Sequence, residues 1–165
     1  MDYNSFIIDD YTFKSYVDCS KEELLLILHW RNDDNIRIWM DNDRPITEFD
    51  HLNFVKGLRN DSGKIYFAVF KDNVYIASIY VTDITKDSGE RGIYVLPSYQ
   101  GKGTSQNIEK AFIKKIREKG FQFFIAKVKI ENIRSIKYHI KMGYKEIFRD
   151  KSYIHYKLDF VNIKD

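Results

Sequence analysis

Between residues 131 and 146 the chain reads ENIRSIKYHIKMGYKE, which sets a tyrosine and a histidine side by side, Tyr138 and His139. Either side chain can move a proton. A second cluster, ERGIYVLPSYQGKGTSQN at 90–107, carries a carboxylate, Glu90, and two glycines, Gly101 and Gly103. A strand that runs through Pro97 into a glycine turn and then a helix brings unpaired N–H groups and the positive end of a helix dipole to one point. Glycines there let an anion approach the backbone, so the chemistry expected is a phosphate or pyrophosphate cradle. A third stretch, LHWRNDDNIRIWM, puts Arg31 beside Trp30, which suits pairing with a phosphate or stacking on a base.

The elements that must position these groups follow from periodicity. YTFKSYV at 11–17 alternates as a strand. Ser20 and Glu23 form a capping box ahead of the helix KEELLLILHW, and IRIWM suits a short second helix. Thr47 can cap a third, with Phe49, Leu52, Val55 and Leu58 as its apolar face. KIYFAVF and VYIASIYV are joined by KDN, a hairpin signal, and ERGIYVL follows as another strand. Ile108, Phe112 and Ile116 stripe a helix over 104–119 that Gly120 ends. FQFFIAKVKI is a strand, NIRSIKYHIKM a helix ended by Gly143, and YKEIF and SYIHYKLDF two closing strands. The order β-α-α-α-β-β-β-α-β-α-β-β predicts an α/β fold, a mixed sheet with helices on both faces, in a single domain over 1–165.

At about 100° per residue, Asn132, Ser135, Ile136 and His139 share one stripe of the penultimate helix. Ile133 and Ile140 are expected to flank it on the core side, and Arg134, Tyr138 and Lys141 to lie opposite, among polar residues. On this phase His139, and not Tyr138, faces the site that Asn132 faces.

Bulk properties set the outer limits. The net charge is +3 and the aromatic content 16%, enough apolar surface for a core and only a mild attraction to anions. The lysines do not cluster, so no dedicated nucleic-acid surface is expected. Cys19 is the one cysteine, which excludes an intrachain disulfide and agrees with a reducing compartment. The start MDYNSFIIDD does not have the pattern of a secretion signal, and the longest strongly apolar run is Leu24 to Leu28, so a cytoplasmic protein without a membrane span is expected.

Three glycine-loop chemistries compete. A Walker A loop needs a hydroxyl directly after its lysine, but Gly103 follows Lys102; a dinucleotide fingerprint needs a third glycine where Gln106 stands. The run Gln100-Gly101-Lys102-Gly103-Thr104-Ser105 instead resembles the [Gln/Arg]-x-x-Gly-x-[Gly/Ala] loop of the GNAT N-acetyltransferase superfamily, with Ser105 a mild departure. Asn132, Ser135, Gly143 and Tyr144 match a second motif of that superfamily. The segment from Trp30 through Met40, with His51 and Phe54, is similar to nucleotide-aminosugar N-acetyltransferases of the pseudaminic acid pathway type, which act on a UDP-linked 4-amino-4,6-dideoxy sugar. Ribosomal-protein and polyamine acetyltransferases carry a related Trp-Arg-Asn segment.

The resemblance implies a twisted, mostly antiparallel sheet of about seven strands and direct transfer of acetyl from acetyl-coenzyme A to an amine, without a metal. It implies that the amides around Gly101, Lys102, Gly103, Thr104 and Ser105, with Gln100, hold the pyrophosphate. It also implies that the pantetheine arm pairs with Ile93, Tyr94 and Val95, near Asn132 and Ser135. A backbone N–H near Tyr94 or Val95 is expected to meet the developing oxyanion. Glu90 is the candidate base, acting through water. Trp30, Arg31, Asn32, Trp39, Met40, His51, Tyr80 and Lys127 are the expected acceptor-binding residues. The superfamily has a tyrosine acid where this chain has His139; the histidine could serve as imidazolium, Tyr138 could bend in, or the thiolate could leave unaided. The acceptor expected is a nucleotide-linked aminosugar, with a polyamine or protein N-terminus as the alternative, or a coenzyme A-binding module without catalysis; a homodimer is compatible.

Overall fold

The structure, a computed structural model, describes residues 4–163. Eight strands form one sheet in the order β1-β2-β3-β4-β5-β6-β8-β7. These are β1 (Phe6–Ile8), β2 (Tyr11–Ser15), β3 (Ile65–Lys71), β4 (Val74–Thr82), β5 (Ser88–Val95), β6 (Phe123–Lys129), β7 (Lys145–Arg149) and β8 (Tyr153–Asp159). All neighbours are antiparallel except β5 and β6. The mixed, mostly antiparallel sheet is as expected, with one strand more than the expected seven. The addition is β1, whose three residues hairpin onto β2 (Ile8 opposite Tyr11) through Asp9 at φ 51°. So short an apolar run in an acidic context carries little period-2 signal.

The helices are α1 (Lys21–Arg31), α2 (Asp34–Arg37), α3 (Glu48–Leu58), α4 (Thr104–Arg117) and α5 (Ile133–Met142). The Ser20–Glu23 capping box closes α1 in both directions, and the Thr47 hydroxyl accepts from the Asp50 N–H to cap α3. The short helix α2 starts and stops before IRIWM does: it is capped by Asp33, and Trp39 and Met40 already lie in the turn beyond it. The β3–β4 connection turns on Asp72 and Asn73, both at positive φ, the backbone of a tight two-residue hairpin.

Two apolar clusters sandwich the sheet. Phe13, Phe67, Ile79, Phe124 and Tyr156 pack against Ile108, Phe112, Ile116 and Met142 of α4 and α5 on one face. Ala68, Tyr75 and Tyr94 pack against Leu24, Ile27, Ile36 and Val55 of α1, α2 and α3 on the other. Two phase assignments need correction. Leu52, Val55 and Leu58 of α3 pack inward as expected, but Phe49 is 74% exposed and His51 is buried in its stead. Ile133 and Ile140 are 57% and 61% exposed, and α5 seats itself on Ile136, His139 and Met142. Their apolar character predicted a core position that the helix's docking angle does not supply.

Candidate active site

The strands β5 and β6 pair in parallel only at Ser88, Gly89 and Glu90 against Phe123, Phe124 and Ile125. Beyond Glu90 they part, and the opening forms a V-shaped cleft of about 370 Å³. Its walls include Ile93, Tyr94 and Val95 on β5, the loop residues Gln100, Gly101, Gly103, Thr104 and Ser105, and Asn132 and Ser135 on α5. These are the expected cofactor residues, with the exception of Lys102. That side chain turns outward and donates to the Ser98 carbonyl.

The loop's shape has a local cause. Gly101 and Gly103 stand at φ 74° and 77°, where side-chain-bearing residues are strained. Gly103 is the N-cap of α4 and offers no side chain to its amides; the first intrahelical bond is Asn107 N–H to the Gly103 carbonyl. The N–H groups of Thr104, Ser105 and Gln106 therefore have no partner within the helix and are free to bind an anion. Gln100 braces this wall, its Nε2 donating to the Val95 carbonyl at 2.8 Å and its Oε1 meeting Arg134.

The proton movers are arranged differently from expectation. Both Tyr138 and His139 line the cleft, so the helical phase that set Tyr138 among exposed residues is corrected. The Tyr138 hydroxyl donates to Glu109 of α4, as does Tyr144. The Arg91 Nε lies 2.8 Å from the Glu109 carboxylate and 3.0 Å from the Tyr144 hydroxyl, and the Arg91 Nη2 donates to His139 Nε2 at 2.8 Å. The Arg91 and Glu109 side chains are 2% and 0% exposed. Burial pushes the Glu109 carboxyl upward, and the Arg91 charge and the donors around it oppose that.

This network fixes the state of His139. Nε2 faces a donor that cannot lose its proton, so Nε2 accepts; Nδ1 carries the hydrogen and donates to the Ser135 carbonyl at 2.7 Å. Burial, and then the Arg91 charge, push its pKa down to about 3. A histidine in this setting is neutral at physiological pH and has no imidazolium proton to give, contrary to the expectation of a histidine acid.

On the opposite sheet face Glu90, Gly92 and Tyr94 alternate toward α1–α3. Glu90 is half-buried, its Oε1 4.0 Å from Lys127 Nζ, and burial raises its pKa. It stands beside the cleft rather than in its wall. A Cβ on Gly92 would lie 2.1 Å from the Tyr80 ring, so the missing side chain is what admits Tyr80, which stacks on Tyr66 with ring centroids 4.6 Å apart.

The expected acceptor residues divide. Trp39, Met40, Tyr80 and Lys127 line the cleft; Trp30, Arg31, Asn32 and His51 do not. Trp30 packs on the second apolar cluster. Asn32 pins the following loop by bonding both polar groups of Ile46. Arg31 donates through Nη2 to the Asn42 carbonyl, while its Nη1 and the Nε2 of His51 are buried without a partner. Burial lowers the His51 pKa and the neighbouring Arg31 charge adds to it.

Sequence reasoning overlooked Arg91, Glu109, Lys129, Arg134, Lys137 and Lys141. Residues 134, 137 and 141 share one face of α5 at i, i+3 and i+7, so the phase that sets Arg134 and Lys141 opposite the cleft is corrected with that of Tyr138. All of these cations line the cleft with Lys127, and among the described residues no carboxylate does.

Comparison with known proteins gives the same result. Residues 24–144 match the Acetyltransferase (GNAT) family. Over 90 residues the chain is 37% identical to Acetyltransferase PseH of Campylobacter jejuni subsp. jejuni serotype O:2, a match spanning 54% of this chain and 57% of that relative. The crystal structure of Campylobacter jejuni N-acetyltransferase PseH in complex with acetyl coenzyme A superposes with a TM-score of 0.74 at 28% identity, covering 90% of this chain and 98% of that one. RimL, a ribosomal L7/L12 alpha-N-protein acetyltransferase solved with coenzyme A, shares the fold at a TM-score of 0.79 with 11% identity. With the family match running from α1 through the end of α5, and the cleft, loop and sheet built as described, the chain belongs to the GNAT acetyltransferase family.

Proposed function

We propose that the protein transfers an acetyl group from acetyl-coenzyme A to the amine of a nucleotide-linked amino-deoxysugar. The observation that carries this reading is the composition of the cleft: a glycine loop and open helix N-terminus at one end, a wall of cations, and no carboxylate among the described lining residues. Such a cleft attracts phosphates and repels a polyamine. The likeness over 90 residues to PseH, an acetyltransferase, supports the acetyl transfer.

In this reading the Thr104, Ser105 and Gln106 amides hold the pyrophosphate and the arm runs along Ile93–Val95. The amine approaches from the α1–α3 face, where Tyr80, Trp39, Met40 and Lys127 shape the pocket. Arg31, which lies outside the cleft lining with its Nη1 buried and unpartnered, reaches a phosphate oxygen of the acceptor beyond that lining; an unmet buried donor costs about 1–3 kcal/mol, which that contact would recover. Glu90, its pKa raised by burial, accepts the ammonium proton through water. The amine lone pair then attacks the thioester carbon, and collapse of the tetrahedral adduct breaks the carbon–sulfur bond, with the electron pair leaving on sulfur. Of the two neighbouring proton movers, His139 is neutral and Tyr138 commits its O–H to Glu109.

The test is thiol release from acetyl-coenzyme A with a UDP-linked 4-amino-4,6-dideoxy sugar, spermidine and a peptide N-terminus as competing acceptors. Turnover with the nucleotide sugar at least about tenfold above the others supports the proposal. A preference for spermidine or the peptide overturns the acceptor. No turnover with any amine, together with tight coenzyme A binding, identifies a non-catalytic module.

A further inference from the structure

Neither neighbour on α5 presents a freely available proton to the cleft. His139 is neutral, its Nδ1–H engaged with Ser135 and its Nε2 occupied by Arg91. The Tyr138 O–H is directed at Glu109, and a carboxylate that accepts this proton disfavours the phenolate that donation elsewhere would leave. A different group does face the place where charge would develop.

Arg91 is the first β5 residue past the last parallel pair, Glu90 with Ile125, so it sits at the floor of the V and lines the cleft. Strand alternation sends it to the α4–α5 face with Ile93 and Val95, which pack in that cluster. Glu90, Gly92 and Tyr94 face the acceptor side. A strand advances about 3.3 Å per residue, so an arm extended down β5 from Val95 covers about 13 Å before it is level with Arg91, the order of length that separates a pyrophosphate from its thioester. An amine arriving from the α1–α3 face drives the sulfur out toward the opposite face, where Arg91 stands.

We infer that Arg91 supplies a fixed positive charge that stabilises the departing coenzyme A thiolate, and that Glu109 is the positioning residue that holds it there. The guanidinium does not titrate. It stabilises sulfur as the electron pair arrives, with no proton delivered in the same step; the thiolate takes its proton from solvent on release. The groups facing Arg91 are Glu109 from α4, Tyr138, His139 and Tyr144 on and after α5, and Tyr80 across the sheet. Glu109 takes the Nε edge and spends its two oxygens on Arg91, Tyr144 and Tyr138. Among the described residues the Nη2 edge meets a neutral acceptor, His139.

This inference rests on the coenzyme A reading, and its test separates the two. Coenzyme A carrying carbon-13 at its thiol-bearing methylene is bound to the wild-type protein and titrated by NMR, with affinity measured by calorimetry. Failure to bind sinks the functional reading. Binding with about tenfold or more thiolate than free coenzyme A at the same pH is the expected result, since a charge at contact distance lowers a pKa by about 1–3. Binding with a thiol that ionises no more readily than the free one overturns the inference whatever any variant does. In Arg91→Met/Glu109→Gln, which leaves no lone buried charge, the extra thiolate disappears and kcat falls by about 10- to 100-fold with coenzyme A affinity within about threefold. A folded double variant that keeps either the thiolate excess or wild-type kcat contradicts it.

Discussion

The two sides of the cleft are built on different principles. The cofactor side, from β5 through α5, is defined by backbone: two glycines at positive φ, an open helix end and a pair of strands that part after three residues of pairing. The proposed acceptor side, under α1 through α3, is defined by side chains: Trp39, Met40, Lys127 and Tyr80, the last over a position that must be glycine. Backbone sites bind a constant ligand and resist change in outline. Side-chain sites alter their ligand with single substitutions. On this division one fold can keep its cofactor and vary its acceptor.

The sharpest way to break this division is at the loop. Gly103→Val forces a β-branched residue into the left-handed region, at a cost of about 1–3 kcal/mol. We expect acetyl-coenzyme A affinity to fall about tenfold or more by calorimetry while the affinity for UDP changes little. If both ligands weaken equally, the two sides are not independent.

Arg31→Met probes the other side. It should raise the KM for the nucleotide sugar by about tenfold or more, the scale of a charge-assisted hydrogen bond, and leave the affinity for acetyl-coenzyme A unaltered. An unchanged acceptor KM would mean that the unpartnered Nη1 serves only the local packing.

Gly92→Ala places a methyl 2.1 Å from the Tyr80 ring carbon and 2.4 Å from its hydroxyl. Overpacking of this kind costs about 1–3 kcal/mol, read as a lower melting temperature. The displaced Tyr80 should raise the acceptor KM several-fold with cofactor binding preserved. Tyr80→Phe in the Gly92→Ala background should not relieve the strain, because the ring itself is in contact.

His139 gives the smallest effect and a signed one. Its folded pKa, pushed down to about 3, lies below the ordinary value of 6.5, so the unfolded chain binds the proton more readily. Stability from this group is present above about 6.5 and is lost as pH falls toward about 3. Between pH 6.5 and 5, above the range of most carboxylates, chemical denaturation should show wild type weakening as acid is added and His139→Phe following a flatter curve. A rate that rises or falls with a group titrating near 6.5, and that loses this dependence in His139→Phe, would restore the histidine as a proton donor.

Much of the cofactor side was legible in the sequence because its determinants are local: a glycine loop after a strand and a helix stop at Gly143. The acceptor side was legible only as a set of residue types. Arg31 and His51 are brought close by the packing of α1 on α3, whereas Trp30 and Asn32, adjacent to Arg31 in the chain, serve the core and the loop. The central omission, the Arg91–Glu109 pair, joins residues 18 apart in a strand and a helix. Nothing local marks a charged residue on an amphipathic helix as buried. The phase of α5 departs for a related reason: the apolar Ile133 and Ile140 point to a core face, yet Ile136, His139 and Met142 occupy the side that packs.

The most direct test of two separate sides is UDP binding by calorimetry to protein saturated with coenzyme A. The account predicts that UDP binds the loaded protein with nearly the affinity it shows for the free protein, and that Arg31→Met weakens it in both. UDP that is displaced by coenzyme A, or that binds Arg31→Met as it binds wild type, would contradict a distinct nucleotide-reading acceptor side.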